Sequence, residues 1–202
     1  MKIETASYFG SFVDVEKCPT AIVPEYAFIG RSNVGKSSLI NYLTEKKADA
    51  KVSGSPGKTR TINYFAINTN KWYLVDLPGY GYARTSKSTR EDWDKFIRTY
   101  LRKRVQLINL FVLIDTRIPP QKIDLEFIEW LGEHQIPFSL VFTKNDKPKS
   151  LNNLNNRKAF ENELLKSWEE LPNMFLTSSA SNLGRAEILA FIDQCNQTIP
   201  QQ

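Results

Sequence analysis

Histidine occurs once in this chain, at His134, and cysteine twice, at Cys18 and Cys195. With so few soft ligands and no metal-type spacing, the composition argues against a zinc site or a disulfide scaffold. Free thiols in a reducing compartment are the expectation. Long apolar runs are missing too. The run "LFVLI" falls far short of the ~20 residues that a membrane helix requires. The first residues, "MKIETASYFGSFVDVE", lack the apolar core of a signal peptide. A soluble, cytoplasmic protein is expected. No repeat, low-complexity tract or Gly/Ser/Pro linker divides the 202 residues, so 1–202 reads as one domain.

What is present is a core-forming composition, 41% hydrophobic and 12% aromatic, enough for a folded globule of this length. The net charge of +5 is unevenly placed. Between Arg84 and Arg104 stand eight basic residues (Arg84, Lys87, Arg90, Lys95, Arg98, Arg102, Lys103, Arg104) against Glu91, Asp92 and Asp94. That segment carries the whole excess.

Periodicity and breakers predict alternating strands and helices. Strands are expected at 26–30, 107–115, 137–144 and 174–180. A hairpin is expected from 60–68 and 71–78 around a short "TN" turn. Helices are expected at 35–45, 86–104, 121–133, about 152–170 and 184–195. This implies an α/β fold with a mostly parallel six-stranded sheet, one antiparallel hairpin strand and helices on both faces. The alternation in "SYFGSFVDV" suggests that the extension 1–22 adds a strand to a core spanning 23–197. In such sheets ligands bind outside the strand C-termini.

Each chemical motif falls at such an end. "GRSNVGKS", Gly30 to Ser37, fits G-x-x-x-x-G-K-[ST] between a predicted strand and helix. Its glycines let backbone N–H groups face phosphate oxygens, and the helix N-terminus adds favourable partial charge. Lys36 would reach the β- and γ-phosphates, and the Ser37 hydroxyl would ligate Mg2+. A chance match in a chain of this length is on the order of one in a hundred. Forty residues on, Asp76 of "DLPG" can hold Mg2+ through water, and the Gly79 N–H can touch the γ-phosphate.

"TKND", Thr143 to Asp146, fits [NT]-K-x-D. A carboxylate at Asp146 accepts both guanine N1–H and N2–H, a pair that adenine lacks. Lys144 would lay its stem across the base. In "TSSA", Thr177 to Ala180, an N–H of Ser179 or Ala180 can donate to guanine O6. Four elements in order at four strand ends indicate guanine nucleotide. In the loop "VSGSPGKTRTINYF", Thr59 is favoured as an extra Mg2+ ligand because Thr61 should already be in the hairpin strand.

Together, "GRSNVGKSSLIN", "GSPGKTRTINYF", "DLPGYGYA", "TKND" and "SSA" resemble the bacterial EngB-type (YihA/YsxC) ribosome-biogenesis GTP-binding proteins of the TrmE–Era group. The resemblance covers about residues 5–197. It implies a Ras-like phosphate-loop GTPase acting in large-subunit assembly, with links to division and septation. Carried over by position, the nucleotide would meet Gly30, Arg31, Ser32, Asn33, Val34, Gly35, Lys36, Ser37 and Ser38. Gly57, Lys58 and Thr59 would join it, with Asp76 and Gly79 at the γ-phosphate. Thr143, Lys144 and Asp146 would read the base, with Ser178, Ser179 and Ala180 behind it. Mg2+ would take Ser37, Thr59 and, through water, Asp76. Lys36, Thr59 and Gly79 would serve catalysis.

Hydrolysis is expected to be slow, because Tyr80 stands where Ras-like proteins often carry a water-orienting glutamine. Tyr80 and Tyr82 read as packing residues, and His134 as an exposed loop residue. Asn33 matches an asparagine that helps hold K+ in some TrmE–Era relatives; a loop asparagine satisfying local backbone is an equal reading. Only modest K+ stimulation is expected. The basic segment 84–104 follows the γ-phosphate sensor and suits ribosomal RNA; a solvated helix face is the plainer alternative. On this reading GTP would order residues 80–104 and the 52–61 loop into an RNA-binding face of a monomer. An ATPase or nucleoside kinase, and a septal or signalling GTPase without a ribosome partner, are the competing classes.

Overall fold

The computed structural model describes residues 1–45, 61–81, 87–146 and 150–198, with the side chains of 87–90 and 93 excepted. Gly57, Lys58, Thr59, Tyr82, Arg84 and the 52–60 loop lie outside the described residues. Seven strands form one sheet in the order β1-β3-β4-β2-β5-β6-β7. These are β1 (Ala6–Phe12), β2 (Glu25–Gly30), β3 (Ile62–Ile67), β4 (Trp72–Asp76), β5 (Leu107–Asp115), β6 (Phe138–Thr143) and β7 (Met174–Leu176). Helices are α1 (Lys36–Leu43), α2 (Lys87–Lys103), α3 (Lys122–Glu133), α4 (Leu151–Leu164) and α5 (Arg185–Thr198).

Only β3 runs against the others, since it pairs antiparallel with both β1 and β4. The expected six strands become seven because β1 joins the edge, with Tyr8 and Gly10 flanking a register shift. β2 is buried along its whole length, the pattern expected of a strand covered on both faces. One face packs Leu39, Ile40 and Leu43 of α1 with Ile188, Leu189 and Ile192 of α5. The other packs Ile97, Tyr100 and Leu101 of α2, Phe127, Ile128 and Leu131 of α3, and Phe160 and Leu164 of α4. These i, i+3, i+4 spacings are the apolar stripe that holds a helix on a sheet.

Several element boundaries differ from the sequence expectation. The hairpin turn is four residues long: Ile67 pairs with Trp72, and Asn68, Thr69 and Asn70 all take positive φ. β7 stops at Leu176 because the following chain closes on itself, Ser178 bridging to Leu183. α4 stops at Leu164 rather than near 170, and Trp168 beyond it packs edge-on against Phe138.

Glu25, at the start of β2, is fully buried. Arg104, just past α2, closes on it with its guanidinium, and the Tyr100 hydroxyl donates to it at 2.7 Å. Arg104 also donates to the Pro19 carbonyl at 2.8 Å. A buried carboxylate demands such partners. Arg104 therefore belongs to the interior and leaves the basic surface counted from sequence.

Candidate nucleotide site

The loop 30–37 leaves β2 and enters α1. At Gly30 an added Cβ would lie 2.9 Å from both the Leu113 carbonyl oxygen and Val34 Cγ1, so only glycine fits there. Gly35, the N-cap of α1, has φ 102°, which favours glycine for conformational reasons. Ser32, Asn33 and Ser38 are exposed, Arg31, Gly35, Lys36 and Ser37 are half-buried, and Val34 is buried. The α1 N-terminus has no side-chain cap, so the helix opens with its backbone donors available in the manner that suits a phosphate.

Lys36 forms an ion pair with Asp76 at the end of β4. Burial lowers the Lys36 ammonium to about 8, and Asp76 is the countercharge beside it. Asn63 on β3 donates to the other Asp76 oxygen at 3.4 Å, while the Thr61 hydroxyl donates to Asn63 Oδ1 at 3.0 Å. Thr61 thus precedes β3 instead of lying in it, and its hydroxyl is engaged.

The next turn is packed down. Leu77 N donates to the Phe28 carbonyl at 3.0 Å, and Gly79 is buried. Tyr80 pairs through its backbone with Arg31, packs its ring at a 31° tilt against Phe127 with centroids 4.7 Å apart, and donates its hydroxyl to Asp124 at 2.8 Å. Tyr80 is accordingly a packing and hydrogen-bonding residue, with its polar tip on α3.

The "TKND" segment sits beside the loop 30–37. The Thr143 hydroxyl donates to the Val34 carbonyl at 2.6 Å, joining β6 to the loop. Lys144, at φ 57°, donates to the Asn33 carbonyl and, at 2.8 Å, to Asp115 Oδ2. Burial alone would raise the Asp115 carboxyl. Hydrogen bonds from Arg117 and Lys144 overcome it and hold the group at about 2. Asp146 accepts from the Ser178 hydroxyl. Ser178 also accepts from Ser181 N at 3.0 Å. Ser179 and Ala180 are exposed next to that pair. Asn145 is buried; its N–H donates to the Thr177 carbonyl at 3.1 Å and its oxygen accepts from Asn153 at 3.3 Å.

Asp115, Asn63, Asp124 and Asn153 were missed in the sequence motifs. Asp115 had a readable signal, a carboxylate ending the buried strand "LINLFVLID"; the other three are placed only by packing. His134 is exposed as expected, with its ring 4.4 Å from Trp130. On α2, Arg98 covers the Trp130 ring at 4.2 Å and pairs with Asp94 at 2.5 Å, and Lys103 pairs with Glu16 at 2.6 Å.

Among the described residues, no group of three His, Cys, Asp or Glu could hold a metal alone. Nor is any described helix long and apolar enough to cross a membrane.

The family model described as 50S ribosome-binding GTPase matches residues 25–144. The chain is 56% identical to a probable GTP-binding protein EngB from Christiangramia forsetii, over 98% of this chain and 100% of the relative. It is also 56% identical to the Bacteroides fragilis protein of that name, over 98% of each. Among solved structures, a probable GTP-binding protein EngB superposes with TM-score 0.64 at 26% identity, covering 87% of this chain and all of that one. The G domain of the T. maritima FeoB iron transporter gives TM-score 0.57 at 25% identity, covering 86% and 98%. The chain belongs to the EngB family of GTP-binding proteins and is a GTPase.

Proposed function

We propose that this GTPase is a switch that serves assembly of the large ribosomal subunit, and that normal division and septation depend on it through that role. The observation that supports the reading best is the convergence of Lys36, Asp76, Lys144 and Asp146 at adjoining strand ends. One set is suited to phosphates and Mg2+, the other to guanine. The description of the matched family, with its ribosome-binding GTPases, supports the choice of partner.

In this reading the loop 30–38 cradles the phosphates, with Lys36 toward the β- and γ-phosphates. Ser37, Thr59 and, through water, Asp76 hold Mg2+, which supplies positive charge where negative charge develops on the transferred group. Gly57 and Lys58 complete the phosphate side, and Gly79 senses the γ-phosphate. Thr143 braces the loop, Lys144 lies on the base and Asp146 reads it, with Ser178, Ser179 and Ala180 behind. Lys36, Thr59 and Gly79 are the catalytic set. Tyr80 carries no side-chain amide to orient water, and its hydroxyl is committed to Asp124; both favour slow intrinsic turnover. Asn33 is the candidate K+ contact, with modest stimulation.

The partner surface is the exposed part of α2, where Lys95, Arg102 and Lys103 face solvent, and the protein acts as a cytoplasmic monomer. The test is GTP hydrolysis in K+ or Na+ buffer, with and without large ribosomal subunits. Marked acceleration by subunits supports an assembly switch whose site the ribosome completes. Neither binding nor acceleration would overturn the ribosomal reading in favour of a septal or signalling GTPase. Equal rates in the two cations would remove the K+ role.

A further inference from the structure

Asp124 is a carboxylate without a place in the nucleotide motifs, yet it is only 3% exposed and lies one hydrogen bond from the γ-phosphate sensor. The connection runs through Tyr80, the residue after Gly79. Tyr80 is held on three sides. Its backbone bridges Arg31, the second residue of the phosphate loop; its ring lies on Phe127; and its hydroxyl reaches Asp124 at 2.8 Å. The Arg31 bridge sets the sensor turn at a fixed offset from the phosphate loop. The other two contacts fix it against α3.

We propose that Asp124 is a positioning residue for GTP: through the Tyr80 hydroxyl it fixes the turn that presents Gly79 to the γ-phosphate. The proposal rests on the assignment of Gly79 as γ-phosphate sensor given above. A hydrogen bond to a buried carboxylate is expensive to lose, because the acceptor is then left desolvated without a donor. Burial raises the Asp124 carboxyl, while the Tyr80 hydrogen bond and the Arg31 charge offset part of that rise. The group therefore has a strong demand for this donor. The result is a sensor held in place before nucleotide arrives, so that ordering the turn does not draw on the binding energy of the γ-phosphate. GDP, which lacks that phosphate, gains nothing from the arrangement. The signature is thus a change in GTP affinity relative to GDP, which a purely packing role would not produce.

Four proteins test this: wild type, Tyr80→Phe, Asp124→Ala and Asp124→Asn, each titrated with fluorescent GDP and with a non-hydrolysable GTP analogue in Mg2+. Tyr80→Phe keeps the ring on Phe127 and so guards against a folding defect. The expected result is an analogue affinity about 3- to 10-fold weaker in Tyr80→Phe and Asp124→Ala, the worth of one hydrogen bond. GDP affinity stays within about twofold. Asp124→Asn retains an acceptor oxygen and stays near wild type, and the double variant Tyr80→Phe/Asp124→Ala is no worse than either single one. An unchanged analogue-to-GDP ratio, an equal loss for both nucleotides, or a shift in favour of the analogue would each overturn the positioning role. Wild type that binds neither nucleotide would instead bring down the assignment of the site itself, and the proposal with it.

Discussion

Arg104 and Glu25 stand 79 positions apart in sequence, yet they form a buried ion pair that ties the end of α2 to the start of β2. The Arg104 side chain is 9% exposed and that of Glu25 is fully covered. The pair thus fixes the trailing end of the helix that follows the Asp76–Gly79 turn, at the sheet end remote from the loop 30–37. Removing Arg104 leaves the Glu25 charge buried without a countercharge, with only the Tyr64 and Tyr100 hydroxyls as donors. Arg104→Ala is expected to cost about 3–5 kcal/mol of unfolding free energy, read from urea denaturation. A loss below about 1 kcal/mol would show that water reaches Glu25 freely.

Asp115 carries a pH prediction. Its folded pKa is held at about 2, below the ordinary value of 3.8, by Arg117 and Lys144 against the opposing effect of burial. A depressed carboxyl contributes stability that is fully present above the unfolded pKa and is lost as pH falls through the folded one. Wild type should therefore exceed Asp115→Asn in stability by a constant margin above pH ~4, and the margin should shrink between pH ~4 and ~2. Paired thermal melts across that range measure it. A margin independent of pH would mean that the hydrogen bonds from Arg117 and Lys144 do not hold Asp115 in the folded protein.

Asp146 is expected to decide base identity. Asp146→Asn replaces one accepting oxygen by a donor that faces the guanine N–H groups. GTP affinity should fall at least about 100-fold, the worth of two charge-assisted hydrogen bonds. Xanthosine triphosphate, which presents an acceptor in place of the N2 amine, should gain relative to GTP. Competition binding with both nucleotides checks it, and retained GTP preference would remove Asp146 from the base site.

The surface of α2 supplies the fourth prediction. Arg98→Glu, Arg102→Glu and Lys103→Glu together should abolish most subunit binding in co-sedimentation and flatten its salt dependence. GTP affinity should stay within about twofold, because none of the three touches the nucleotide motifs. Arg98 is the least free of them, being laid on Trp130 and paired with Asp94. Unchanged co-sedimentation would place the ribosome contact elsewhere.

The candidate motifs were legible because phosphate and guanine recognition depend on local spacing. "GRSNVGKS" needs its glycines where the backbone curls, and "TKND" needs its carboxylate at a strand end; both requirements are met within a few residues. The strand at 107–115 was legible to the residue because a covered strand reads as a nearly continuous apolar run, broken here by Asn109 and closed by Asp115. The two-residue hairpin turn was misjudged because Asn68 and Asn70, with Thr69 between them, accept the left-handed region without a glycine to announce it. Thr61 was misassigned for a related reason: where pairing begins depends on the partner strand, and β3 starts one residue later.

The sequence by itself determined the order of elements and the places of the "GRSNVGKS", "DLPG" and "TKND" segments at strand ends, because each rests on the conformational or hydrogen-bonding properties of neighbouring residues. Only the tertiary structure decided which distant groups hold those motifs in place: Asp115 on Lys144, Asn63 on Asp76, Ser178 on Asp146, Asp124 on Tyr80. It also decided that Arg104, basic in the count, is spent on Glu25. The physical reason is the same in each case. A buried polar group must find a partner wherever the packed sheet and helices bring one within reach, and sequence separation places no limit on that search.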